Sequence, residues 1–124
     1  MRKWIAILCL LIVSCQTNEA DQPELQTDDA QQIGATSVVM AAGITEIGPV
    51  RPVNYGILWD KQSNLTIVAS ANKNLLGSTG GPKKFSIKIE GLTANTIYYY
   101  RGFAANEDYS KIYYSNVVTF TTLQ

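Results

Sequence analysis

Residues 85–122 read FSIKIEGLTANTIYYYRGFAANEDYSKIYYSNVVTFTT. Three extended segments follow one another in this stretch. Phe85, Ile87 and Ile89 alternate with Ser86, Lys88 and Glu90, the two-residue period of a strand buried on one side. From Thr96 to Ala105, Tyr98, Tyr100, Gly102 and Ala104 fall on one face and Tyr99, Arg101 and Phe103 on the other. From Asn116 to Thr122, Val118 and Phe120 oppose Val117, Thr119 and Thr121. β-Branched and aromatic residues dominate all three segments, and such side chains suit a pleated surface.

The same period recurs upstream. Val53, Tyr55, Ile57 and Trp59 alternate with Asn54, Gly56 and Leu58, and Val38, Met40, Ala42 and Ile44 alternate with Val39, Ala41 and Gly43. A first strand is expected around residues 30–35, and Gly48-Pro49 and Arg51-Pro52 punctuate a turn. Residues 65–70 read as a short strand and 72–84, rich in Gly, Asn and Lys, as a loop. No helical period interrupts the pattern. Seven short strands joined by turns predict an all-β, two-sheet Greek-key sandwich. In strand letters, A, B and E form one sheet and C, C′, F and G the other. The side chains expected inside include Val38, Met40, Ile44, Tyr55, Ile57, Trp59, Leu92, Tyr98, Tyr100 and Phe120.

The joint Gly91-Leu92-Thr93-Ala94-Asn95-Thr96-Ile97-Tyr98 resembles the G-L-x-P-x-T-x-Y signature of fibronectin type III domains, with Ala94 where proline is usual. The resemblance implies a seven-stranded sandwich whose corner is tied by the Tyr98 hydroxyl, with Leu92 plugging the core beneath it. The segments 55–59, 98–106 and 114–122 are similar to those of fibronectin III-like modules in bacterial surface lipoproteins, so the likeness covers residues 30–124.

The N-terminus has a different character. Arg2 and Lys3 precede an apolar run, Trp4 to Val13, that is too short to span a bilayer and fits a secretory signal. The run ends Leu11-Ile12-Val13-Ser14-Cys15, which resembles a bacterial lipobox. That resemblance implies cleavage after residue 14 and acylation of Cys15. Several acyl chains make a firm anchor, since each buried methylene contributes about 0.8 kcal/mol. Gln16, not aspartate, follows the cysteine, which in the lipoprotein family favours the outer membrane and leaves its periplasmic face and the cell surface both open. Residues 16–32 carry five acidic side chains and no basic one, and are expected to be a disordered tether between Cys15 and a domain spanning 33–124.

Composition narrows the chemistry. The chain has 124 residues, zero formal net charge, no histidine, and only two cysteines, Cys9 and Cys15. With neutral charge no nucleic-acid footprint is expected. Without histidine or a thiol in the domain, the usual general base, nucleophile and metal ligands are missing, so neither enzymatic activity nor a metal or other cofactor is expected. Gly77 to Lys83 brushes against a phosphate-loop pattern, but Pro82 stands where that pattern needs glycine. The expected function is a non-enzymatic, monomeric interaction or spacer module of the cell envelope, held to the membrane by its lipid. The runner-up is a carbohydrate-binding accessory lipoprotein. For a protein or glycan partner the candidate residues are Tyr99, Arg101 and Phe103 on the outward face, with Tyr109, Tyr113 and Tyr114 flanking the F–G loop. Cross-strand pairing that stiffens the sheet is the plainer role for the same aromatics.

Overall fold

The computed structural model describes residues 21–124, so the expected signal segment, Cys15 and residues 16–20 lie outside the described residues. Eight strands follow in order: β1 (Glu24–Thr27), β2 (Ser37–Glu46), β3 (Val53–Asp60), β4 (Asn72–Thr79), β5 (Lys83–Glu90), β6 (Ile97–Ala105), β7 (Ile112–Tyr114) and β8 (Val118–Thr121). They form two antiparallel sheets, β1-β2-β5 and β4-β3-β6-β7, with β8 pairing the first half of β6. This is the A-B-E and C′-C-F-G division expected from the sequence. Strand G is split in two: β7 pairs with Phe103–Ala105 and β8 with Ile97–Tyr100.

The core lies between the sheets. Val38, Met40, Ala42 and Ile44 of β2 face Tyr55 and Ile57 of β3, Tyr98, Tyr100 and Ala104 of β6, and Phe120 of β8. Tyr98 stacks on Phe120 with ring centres 5.7 Å apart, and Trp59 meets Tyr98 edge-on at 6.0 Å. Trp59 is half-buried, and its indole N–H donates to Asn74 Oδ1 at 2.8 Å. At the corner between β5 and β6, the Thr93 amide donates to the Tyr98 hydroxyl at 2.9 Å. That is the corner tie the fibronectin resemblance implied.

Three sequence expectations are corrected. Glu24–Thr27 is not tether but strand β1, paired with β2 so that Leu25 lies opposite Ile44 and Thr27 opposite Ala42. An acidic, polar composition suffices here because an edge strand draws its stability from main-chain pairing and needs few inward side chains; Thr27 is buried and Leu25 packs against the core. Residues 30–35 then contribute a single bridge, Gln31 to Val39. The second correction concerns strand C′, which is β4 at Asn72–Thr79 within the predicted loop, whereas 65–70 is a turn. Third, β7 occupies part of the expected F–G loop.

The first strand is clamped to the opposite sheet by polar groups. Where strand G breaks, the Thr27 amide donates to Asn116 Oδ1 at 2.9 Å, the Gly102 amide donates to Ser115 Oγ at 2.8 Å, and the Thr27 and Ser115 hydroxyls are hydrogen-bonded to each other. Gly102 is required there, since a Cβ would come within 2.8 Å of Ala42 Cβ.

Candidate interaction surface

Outward residues of β3, β6 and β7 share the face of the five-stranded sheet turned away from the core. The register places Gly56 beside Phe103, Leu58 beside Arg101, Asp60 beside Tyr99, and Phe103 beside Tyr114. Residues 61–71, which join β3 to β4, fold over this face. Leu65 packs with Leu58 and Phe103, and all three are fully buried, forming a second, smaller core. Ile67, Tyr99, Tyr109, Ile112 and Tyr114 pack around it.

Polar groups hold the covering segment down. Arg101 Nε donates to the Leu65 carbonyl at 2.9 Å, and Nη2 of the same guanidinium donates to the same oxygen. The guanidinium carbon lies 4.3 Å from the centre of the Tyr114 ring, a cation–π distance. The Ile67 amide donates to the Tyr114 hydroxyl at 3.0 Å. At the ends of the segment, Asp60 accepts from the amides of Lys61 at 2.6 Å and Ala71 at 2.9 Å. Burial pulls the Arg101 pKa below its usual value, opposed by Tyr114, but an arginine stays charged at any working pH.

The candidate aromatics are thus brought together, but most of them in a packed cluster. Phe103 points outward from the sheet as its period required, yet it is completely buried, because residues 61–71 cover it. Nε and Nη2 of Arg101 and the hydroxyl of Tyr114 serve the covering segment. Tyr109 is half-buried against the second core and holds a left-handed backbone conformation, φ 59°. Tyr113 takes the other side of β7 from Ile112 and Tyr114. In the F–G loop, the Ser110 hydroxyl and amide hold the Asp108 carboxyl below the usual carboxylate range; the Ser110 amide donates to Asp108 Oδ1 at 3.0 Å. Among the described residues no group of three or more His, Cys, Asp or Glu is gathered to hold a metal.

The sequence reading missed the apolar positions that remain open on this face: Leu75 of β4, beside Gly56 and 65% exposed, and a strip at the β8 side. Tyr99 lies opposite Thr119, and Ile97 opposite Thr121, so these four share the outer side of the sheet, with Tyr99 at the border of the second core. Ile97 is 52% exposed and Val117, just ahead of β8, is 40% exposed. Val117, Ile97, Tyr99, Thr119 and Thr121 make an uncharged strip. The signal was present in the outward, apolar Ile97 and Val117, which the aromatics overshadowed. The outer side of the other sheet is polar by comparison, with exposed Gln26, Thr45, Lys84, Ser86 and Lys88. It carries a depression of about 430 Å³ between Gln26 and Asp28 on one side and Lys83 and Lys84 on the other.

Solved structures share this architecture. The sensor domain of the anti-sigma factor RsgI4 of Pseudobacteroides cellulosolvens superposes with a TM-score of 0.61 at 20% identity, covering 85% of this chain and 98% of that one. The chain has a fibronectin type III-like fold. Its human neighbours include the fibronectin type III domain of the fibronectin type III domain containing protein 3 (TM-score 0.55, 15% identity, 86% and 92% coverage) and that of the KIAA0970 protein (TM-score 0.53, 15% identity, 86% and 77% coverage). No family model and no curated protein matches the chain. At these identities the fibronectin-like neighbours establish the fold alone.

Proposed function

We propose that this chain is a non-enzymatic interaction module of the bacterial cell envelope, anchored at the outer membrane through acylated Cys15, and that it meets its partner through the strip Val117–Ile97–Tyr99–Thr119–Thr121. The observation that carries the reading is the division of labour on one sheet face. Arg101, Phe103 and Tyr114 are occupied in holding residues 61–71, while Ile97 and Val117 stay exposed beside Tyr99. An exposed apolar strip bordered by hydroxyl-bearing side chains is the composition of a contact surface, and a partly buried tyrosine at its edge is a common anchor within one. A glycan partner is the second reading, favoured by the Tyr99 ring flanked by Thr119 and Thr121.

The test folds residues 21–124 and screens envelope proteins and soluble glycans. Any ligand is then titrated against Tyr99→Ala, Val117→Ser and Tyr109→Ala, with stability followed in parallel. Losing an anchor typically weakens binding by about 1–3 kcal/mol, roughly tenfold to a hundredfold. That loss is expected for the first two variants and not for Tyr109→Ala. A ligand that responds only to Tyr109→Ala would return the site to the F–G loop. Loss of membrane partitioning in Cys15→Ala tests the anchor.

A further inference from the structure

The first strand fixes which end of the sandwich lies next to the anchor. Glu24, the first residue of β1, lies opposite Glu46, the last of β2. At that same pole β4 and β6 end and β3, β5 and β7 begin, so the loops 47–52, 80–82 and 106–111 cluster there. Ahead of β1 the chain stays at this pole: Asp21 lines one depression together with Glu46, Pro49, Arg51 and Pro82, and Pro23 is buried.

Only six residue steps separate Cys15 from Asp21. Whatever path they take, they span at most about 20–22 Å, because the chain advances no more than roughly 3.3–3.6 Å per residue. The ten residues of β2 alone give the sandwich a length of about 33 Å at roughly 3.3 Å per residue. The opposite pole, marked by the turn at Gly91–Asn95 and by Leu123, therefore lies beyond the reach of the anchor unless β1 comes away.

We infer that the pole formed by loops 47–52, 80–82 and 106–111 faces the phospholipid headgroups, and that the Gly91–Asn95 turn projects away from the bilayer. This inference rests on the lipid-anchor reading of Cys15. Arg51, Lys83 and Lys111 at the membrane pole are outnumbered by Asp21, Glu24, Glu46, Glu107 and Asp108, all exposed, so the short connection and not charge attraction sets the orientation. The F–G loop, a usual place for binding residues on such sandwiches, is then shielded by the membrane from large partners. Ile97 and Thr121 stand at the outward end of the exposed strip and stay accessible.

The acylated full chain, carrying a single added cysteine labelled with a fluorophore, is reconstituted in vesicles of phosphatidylethanolamine and phosphatidylglycerol with nitroxide-bearing headgroups. Glu107→Cys reports the membrane pole and Thr93→Cys the opposite one. A second pair, Lys111→Cys and Glu90→Cys, repeats the comparison, so that one misfolded variant does not decide it. Fluorescence is expected to be lost to the nitroxides at 107 and 111 and retained at 93 and 90. Equal quenching at both poles, or stronger quenching at 93 and 90, in protein that floats with the vesicles overturns the orientation while leaving the anchor intact. Protein that does not float, with an unmodified Cys15 by mass spectrometry, overturns the anchor reading and the orientation with it.

Discussion

Arg101 reaches the carbonyl of Leu65 with both Nε and Nη2, although the two residues are 36 positions apart. The contact ties the middle of β6 to a segment that would otherwise be a loose crossing between β3 and β4. It turns an exposed sheet face into a second core, and it commits Nε and Nη2 of the guanidinium to the protein itself.

Phe103 tests that second core. Phe103→Ala should cost about 3–5 kcal/mol, the usual scale for truncating a buried phenylalanine. An outward phenylalanine lying on open surface would cost far less. Denaturant titration separates the two cases.

The corner tyrosine and its neighbour differ in kind. Tyr98→Phe removes the acceptor of the Thr93 amide and should cost about 1 kcal/mol. The Tyr99 hydroxyl takes no part in the hydrogen bonds found among the described residues, so Tyr99→Phe should stay within about 0.5 kcal/mol. Equal losses in chemical denaturation would mean that the two rings do not lie on opposite faces of β6.

The corner was legible because Gly91, Leu92 and Tyr98 sit within one short stretch, and a local signature needs no distant partner. The inward faces of β2, β3 and β6 were legible for a similar reason, since the two-residue period fixes sides whatever the register. What the residues could not announce depends on contacts far along the chain. Strand β1 is polar and owes its order to the main chain of β2 and to Asn116. Strand β4 reads as a loop because Asn72 and Asn74 take inward positions, where Asn74 meets the Trp59 indole. The period gave Phe103 the correct face but not its burial, which depends on Leu65 folding back over it.

Gly56 should tolerate no side chain. It lies at a register irregularity between β3 and β4, where a Cβ would collide with the Asn74 carbonyl oxygen and come within 2.9 Å of Phe103 Cε1. Because the obstacle is backbone, Gly56→Ala should cost about 1–3 kcal/mol, read as a lowered midpoint in thermal or urea unfolding.

Tyr100 should make the fold sensitive to alkali. Its pKa is raised well above the ordinary tyrosine value, first by burial and then by the charges of Asp29 and Asp28. Its hydroxyl donates to the Asp28 carbonyl. A raised pKa in the folded state means that the neutral form is the one stabilised. That stability is fully present below the unfolded value of about 10 and is lost as pH rises from there toward the folded value. Tyr100→Phe should be less stable at neutral pH, having lost the hydrogen bond, and should show a shallower fall in stability above pH 10 than the unmodified protein. Parallel slopes for the two would remove Tyr100 from the alkaline response.

The assignment of structural and contact roles on the outer face is tested most directly by urea unfolding of Arg101→Met beside Ile97→Ser and Val117→Ser. If Arg101 holds residues 61–71 in place, its replacement strands the buried Leu65 carbonyl and should cost about 2 kcal/mol, whereas the two exposed positions should change stability by no more than about 0.5 kcal/mol. A neutral Arg101→Met together with marked losses at Ile97 and Val117 would contradict this, leaving Arg101 free for a ligand and making the strip part of the structural frame.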